Sequence, residues 1–220
     1  MPQFSIILPT YNREDFILTA INSVVAQTYN DWELIIIDDG STDSTKDFIA
    51  PYTKDLRIRY YFQKNQERSA ARNNGIDLAK GKFICFLDSD DYYLSNHLSI
   101  LNDEIEKLHN PQNIIFTVNR FLERPDGQRS IQPSPKSIVS FKEQLIHYAI
   151  LSNPPIQTMC IRHTCLKEIR FKDEWLPYSE CYQFSFDLLK KGMRYHFIDT
   201  PTVVMVIHET NTTRLSFEFL

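Results

Sequence analysis

Residues 82–93 read KFICFLDSDDYY, an apolar run that ends abruptly in three carboxylates within four residues. The run itself is short and apolar, which reads as a buried strand. Asp88, Asp90 and Asp91 follow it so closely that they repel one another unless a cation, a proton or water offsets them. Two accounts fit these residues taken alone. One is a solvated acidic turn that caps the next helix, since Asp and Ser are favoured there. The other is a site built to hold something positive.

The chain upstream bears on the choice. FSIIL (4–8), ELIII (33–37) and RIRYYF (57–62) are further short strands rich in β-branched and aromatic residues. Between them lie helical spacings. Residues 14–28 place Phe16, Ile17, Ala20, Ile21, Val24 and Val25 on one face. Ser41 and Thr42 can cap a helix that runs to about residue 50. Residues 68–80 read as a helix interrupted by Gly75 and ended by Gly81. Residues 93–109 read as a helix with Leu98, Leu101, Ile105 and Leu108 inward. Strand and helix in alternation predict an α/β chain, with a Rossmann-like, mostly parallel central sheet and helices on both faces. In such sheets ligands bind beyond the carboxyl ends of the strands. PTYN follows the first strand, DDGSTD the second and DSDD the fourth, so all three polar clusters are expected at one edge. Three unrelated solvated turns would have to coincide to produce the same pattern.

The second half is less regular. Residues 123–137 hold three prolines and a glycine and read as a loop or hairpin. SFKEQLIHYAILS (140–152) predicts a helix ended by Asn153-Pro154-Pro155, IQTMCI (156–161) a strand, residues 179–192 a helix closing at Gly192, and TPTVVMVIHE (200–209) a last strand. Neither a repeat nor a long linker is visible. A single domain over 1–220 is expected, with 1–110 as a ligand-binding half and 111–220 as a second, smaller mixed region.

Composition narrows the function. Net charge is -4, from 24 basic and 28 acidic residues. That argues against a nucleic-acid partner, which calls for a basic field. No apolar run approaches the ~20 residues of a membrane span. The opening MPQFSIILPTYN lacks the features of a secretion signal. Cys85, Cys160, Cys165 and Cys181 form no CxxC pair, and the six histidines show no ligand spacing. A cytoplasmic protein is expected.

The clusters together resemble glycosyltransferase family 2, the inverting enzymes with the GT-A fold. The resemblance rests on Pro9-Thr10-Tyr11-Asn12, Val25-Ala26-Gln27-Thr28-Tyr29 and Glu33–Asp43, then on Ala71-Arg72-Asn73-Asn74-Gly75, Ala79-Lys80-Gly81 and Leu87–Asp91. It is dense over roughly the first 110 residues and sparse beyond. It implies a nucleoside-diphosphate sugar as donor, most often UDP-linked. Pro9, Thr10 and Tyr11 then match the loop that holds the nucleobase, and Asp39 the carboxylate that reads its edge by accepting an N–H. Arg72 matches the arginine that clamps the nucleotide. Asp88-Ser89-Asp90 match the DxD motif, where Mg²⁺ or Mn²⁺ bridges carboxylates to the diphosphate. Asp90 is then a metal ligand and Asp88 lies near the ribose or the metal's waters, while Asp91 is read as a cap for the next helix. His208 matches a histidine near the metal after the last strand.

The implied reaction is displacement at the anomeric carbon by an acceptor hydroxyl, with a carboxylate taking its proton. The family commonly places that base in a Glu-Asp pair at the start of a late helix. Glu180 matches the Glu, but Cys181 stands where the Asp is expected. Glu180, Asp187 and Glu174 are the candidate bases. A nucleotide-sugar-binding subunit with impaired catalysis is the alternative. A sugar nucleotidyltransferase fits worse, because LPTYNRED has no glycine for a phosphate loop. The acceptor is expected to be a saccharide or a lipid-linked sugar of surface polysaccharide synthesis. RHTCLKEIRFK (162–172) is either a solvated helix face or a basic patch that approaches anionic lipid at the inner face of the membrane. Arg214 and the apolar LSFEFL ending stay unassigned.

Overall fold

The computed structural model describes residues 1–132, 154–172 and 180–209. Its first half alternates as the sequence pattern requires. Strands β1 (Phe4–Thr10), β2 (Trp32–Asp38), β3 (Ile58–Phe62) and β4 (Phe83–Phe86) are joined through helices α1 (Ile17–Val25), α2 (Thr45–Ile49) and α3 (Glu67–Leu78). These four strands are parallel and ordered β3-β2-β1-β4. The expected helix over 93–109 splits in two. Tyr92–Tyr93 form a short strand, β5, and the helix α4 begins only at His97 and runs to Lys107. Leu108 and Val25, both expected inward, are exposed at helix ends.

The sheet then continues through the second half. β6 (Ile114–Glu123) and β7 (Arg129–Gln132) form a hairpin around Gly127. β8 (Met159–Arg162) follows a 3₁₀ turn, so only the end of IQTMCI is strand. Helix α5 (Glu180–Lys190) leads into β9 (Arg194–Val206). β9 starts six residues before the expected strand and holds Pro201 at a register irregularity against β6. The full order is β3-β2-β1-β4-β8-β6-β9-β5, with β7 paired to β6. β8 runs antiparallel to β4 and β6, while β9 runs parallel to β6. IIFTVNRFLE carries the longest pairing in this half and was not singled out from sequence, because it shows no simple alternation.

Strand alternation sorts the core into two layers. Phe4, Ile6 and Leu8 of β1 pack with Ile17, Ile21 and Val24 of α1 and with Leu98, Leu101 and Ile105 of α4. Ile7, with Ile35 and Ile37 of β2, packs on the other face with Ala71 and Ile76 of α3 and Phe184, Leu188 and Leu189 of α5. Both sheet faces are therefore covered, which explains the continuous apolar strands. Residues 162–172 form a 3₁₀ turn and irregular chain, not a helix. Three of its basic groups are engaged internally: Arg170 pairs with Asp77 and Lys172 with Asp187, while the Arg162 guanidinium donates to the carbonyls of Asn110 and Pro111. The expected helix over 140–152, Glu174, Arg214 and LSFEFL lie outside the described residues. No helix among the described residues is long and apolar enough to cross a membrane.

Gly75 does not interrupt α3. It allows the helix to lie against β1, because a Cβ there would come within 2.4 Å of Ile7 Cγ2 in the sealed core. Gly75→Ala should therefore destabilise the fold by about 1–3 kcal/mol, the range for overpacking, although alanine favours helices. Urea unfolding measures this, and a neutral or stabilising result would refute the close-approach argument.

Candidate active site

The carboxyl ends of β1, β2 and β4 lie side by side in the sheet, so the loops that leave them meet. Asn12, in a left-handed conformation (φ 49), joins the first loop to the second. Its backbone N–H donates to Ser41 Oγ at 2.9 Å, and its side-chain oxygen accepts the Thr42 N–H at 2.8 Å. Ser41 and Thr42 thus bind the neighbouring loop instead of capping α2. The N-cap position of α2 is Ser44, and just before it Asp43 Oδ1 accepts the Thr45 N–H at 3.0 Å. Asp38 is fully buried and holds the turn from below, accepting from the Ser41 N–H and the Tyr60 hydroxyl.

Above these loops a cleft of about 270 Å³ opens, and it is lined by Pro9, Thr10, Tyr11, Asp39, Arg72, Asp88, Ser89 and Asp90. These are eight of the eleven residues singled out from the sequence. Asp39 is buried, and its Oδ1 accepts from Gln63 Nε2 at 2.7 Å and the Gln66 N–H at 3.0 Å. Its Oδ2 has no partner among the described residues. Tyr11 is 47% exposed over the cleft, a flat apolar surface with a polar tip.

Arg72 organises the inner wall. It is 3% exposed and reaches the site from the middle of α3. Nη2 donates to Asp88 Oδ1 at 2.8 Å, Nη1 to Glu180 Oε1 at 3.4 Å, and the guanidinium lies 5.3 Å from the Phe171 ring centroid. Burial disfavours the Arg72 charge, but Asp88, Cys181 and Glu180 around it win, and the guanidinium holds its proton more tightly than usual. The remaining predicted residues join here. Glu180 is buried at the first turn of α5, and Cys181 Sγ lies 3.9 Å from Arg72 Nη1. His208 Nε2 is 3.1 Å from Asp90 Oδ2, with its ring stacked on Phe16 at 4.5 Å. All eleven residues therefore converge through side-chain contacts or a shared wall.

Of the other carboxylates, Asp187 pairs with Lys172 and accepts from Gln183, away from the Arg72 cluster. Asp91 is no helix cap: it lies six residues before α4 and is buried, accepting from Gln157 Nε2 at 2.7 Å and the Val206 N–H at 3.0 Å. The cleft also takes Arg13, Asn65, Glu67, Arg68 and Ala71, which sequence reading missed. Arg68 had a legible signal. It stands one helical turn before Arg72, and its Nη1 approaches the same Glu180 oxygen at 3.6 Å. Arg13 Nη2 stands 3.9 Å from Asp90 Oδ2.

No three His, Cys, Asp or Glu side chains among the described residues are grouped as a self-sufficient metal site. Asp90 and His208 still offer an oxygen and a nitrogen 3.1 Å apart at the open cleft. That donor pair fits an ion whose remaining ligands are phosphate oxygens and water, the usual state of Mg²⁺ in nucleotide sites. The residues present therefore fit a divalent cation held jointly with a ligand.

A mixed, mostly parallel sheet with a carboxylate-rich cleft beyond the carboxyl ends of its parallel strands is an α/β arrangement of the GT-A type. The chain belongs to glycosyl transferase family 2, whose profile matches residues 5–170. It is 33% identical over 198 residues to an uncharacterized glycosyltransferase of Haemophilus influenzae, covering 87% of this chain and 73% of that protein. An uncharacterized glycosyltransferase of Rickettsia conorii is 47% identical over 98 residues, which is 44% of this chain but only 16% of that protein. The Campylobacter jejuni GalNAc(5)-diNAcBac-PP-undecaprenol beta-1,3-glucosyltransferase is 42% identical over 104 residues, covering 46% of this chain and 34% of its own length. The crystal structure of S. aureus TarS 1–349 with UDP-GlcNAc superposes with a TM-score of 0.78 at 24% identity, over 95% of this chain and 60% of that one. The fold is thus GT-A-like, and the chain spans only part of the length of many of its relatives.

Burial pushes the Cys181 thiol up to about 12; Arg72 opposes this, while Glu180 and Asp88 reinforce it. At neutral pH Cys181 is therefore a thiol, neither a base nor a strong nucleophile. In native protein at pH 8, iodoacetamide should leave Cys181 unmodified over the time that alkylates the denatured chain fully. Reactivity should rise only as the pH nears 12. Peptide mass spectrometry reads the result, and rapid modification at pH 8 would show an activated thiolate instead.

Proposed function

We propose that this chain transfers a sugar, with inversion, from a UDP-sugar to a hydroxyl of a saccharide or lipid-linked acceptor during surface polysaccharide synthesis. The observation that carries the proposal is the buried Arg72 bridge, which holds a donor-side carboxylate, Asp88, and an acceptor-side carboxylate, Glu180, on one guanidinium. The nucleotide lies along the cleft floor. Tyr11 supplies a stacking face, the open oxygen of Asp39 accepts a base N–H, and Pro9, Thr10 and Ser89 shape the floor. Arg72 faces the diphosphate. Asp90 and His208 would hold a Mn²⁺ or Mg²⁺ ion there, and such an ion would supply charge neutralisation for the diphosphate.

Glu180 takes the proton from the attacking hydroxyl. Its Oε1 is held by Arg72 and Arg68, which fixes the carboxyl plane and leaves the other oxygen for the acceptor. The UDP donor is supported by the structures of TarS with UDP and with UDP-GlcNAc. The acceptor class is supported by the undecaprenol-linked substrate named for the Campylobacter relative and by the teichuronic acid biosynthesis named for TuaG of Bacillus subtilis, 41% identical over 99 residues. Membrane-side work in the cytoplasm follows from such acceptors. A second role, donor binding with weak transfer, is favoured by one observation: Cys181 is a neutral thiol where the family commonly has a carboxylate.

Three variants separate these roles. UDP should bind more tightly with Mn²⁺ than with EDTA, and Asp90→Ala should erase that difference in calorimetry. Equal affinity in both buffers for the unmodified chain would remove the metal. Glu180→Gln should lower turnover by ~10²-fold or more while sparing donor affinity, as for a lost general base. Full transfer by that variant would move the base elsewhere. Cys181→Asp should raise transfer if the thiol marks a weakened site; unchanged or lower transfer assigns the whole proton transfer to Glu180 in a site adapted to the thiol.

A further inference from the structure

Asp91 is the one carboxylate of DSDD that does not line the cleft. It is 4% exposed, and both of its oxygens are taken. Oδ2 accepts from Gln157 Nε2 at 2.7 Å and Oδ1 accepts the Val206 N–H at 3.0 Å. The strand register explains the second bond. Tyr93 pairs with Val203 and Tyr92 with Val204, after which β5 ends. Continued by two residues, the pairing would bring Asp90 opposite Val206, but the chain has already turned into the acidic loop. The Asp91 side chain replaces the missing strand, accepting the N–H that a longer β5 would have accepted.

Val206 is the last residue of β9, and His208 is two residues further on. An extended residue spans at most ~3.6 Å, so anchoring Val206 confines His208 to a small volume. Within it, the imidazole meets Asp90 at 3.1 Å and stacks on Phe16. The other side of β9 is fixed by β6, where Val206 pairs with Glu123. Keeping an acid at position 91 is costly. A core position filled by an apolar side chain would avoid that cost. We propose that Asp91 is a positioning residue: it latches the end of β9 beside the acidic loop, so that His208 and Asp90 form one metal-binding pair.

The latch rests on the proposed role of Asp90 and His208, and the test separates the two. Mn²⁺-dependent UDP affinity is measured by calorimetry on the full chain and its variants. His208→Ala and Asp91→Ala should each weaken it by about 10-fold or more, the usual cost of a lost ligand or ligand support. The double variant should lose less than about threefold beyond either single one, since both act through the same imidazole. Asp91→Asn keeps the oxygen for the Val206 N–H, and Gln157 can turn its amide to match. It should stay within about threefold of the unmodified chain. Val206→Pro removes the latched N–H without touching the acidic loop and should behave as Asp91→Ala does, even if that variant folds poorly. If Asp91→Asn loses as much as Asp91→Ala, charge and not the latch matters, and the proposal falls. Additive losses in the double variant overturn it as well. An unchanged affinity in His208→Ala removes the metal role of His208 and the latch with it, whereas a loss in His208→Ala with none in Asp91→Ala removes the latch alone.

Discussion

One buried guanidinium holds the site together. Arg72 projects from α3 into a space where Asp88, Glu180 and Cys181 meet. A charge in that position is tolerated only because its partners are fixed and close. Cutting one partner from such a pair typically costs about 3–5 kcal/mol, since a buried charge is left without compensation. The constraint acts in both directions. Arg72 needs the carboxylates, and the carboxylates need it to sit close together, Glu180 reaching it from 108 residues further along the chain. It therefore ties the regular first half of the sheet to the helix that the second half contributes.

The sheet supplies the rest of the geometry. Parallel neighbours place their carboxyl ends together, and the loops leaving them are clamped by short side-chain-to-backbone bonds. Asn12, Ser41 and Thr42 form one clamp, and Glu14, Asp43 and Thr45 another. Residues that look like helix caps in the sequence are used between loops. The outcome is a braced rim on which Tyr11 stands exposed while Asp39 is buried and held by Gln63 and Gln66. Such a rim suits a ligand bound by a few placed polar groups and one aromatic face.

Charge sets the character of the two ends of the cleft. Near Asp90 the groups are Arg13 and His208, and near Glu180 they are Arg68 and Arg72. Each of these two carboxylates thus has an arginine beside it before any ligand arrives. The neutral Cys181 removes one negative charge from the Glu180 end relative to a carboxylate, where Arg68 and Arg72 meet Glu180 and Arg72 also holds Asp88. That distribution is compatible with an anionic donor and with a single proton acceptor.

The sequence by itself determined the first half of the sheet and the contents of the cleft. Short apolar strands covered on both faces leave a clear pattern, and each polar cluster follows its strand directly. Pro9, Thr10, Tyr11, Asp39, Asp88, Ser89 and Asp90 were legible for that reason, while Arg72, inside a helix, was singled out only by the family resemblance. The second half was only partly legible. β6 and the early start of β9 were missed, because mixed pairing and a register irregularity blur alternation. Arg13 and Glu67 were missed, since nothing local tells a cleft from a surface, and only the helical spacing of Arg68 to Arg72 hinted at the third charge. Only the tertiary structure decided what long-range contacts decide. It gave Asp91 to the end of β9, His208 to Asp90, and Glu180 to Arg72. The physical reason is that a side chain's partner across a hundred residues is chosen by the packing of whole elements, while a strand or a turn is chosen by its neighbours in the chain.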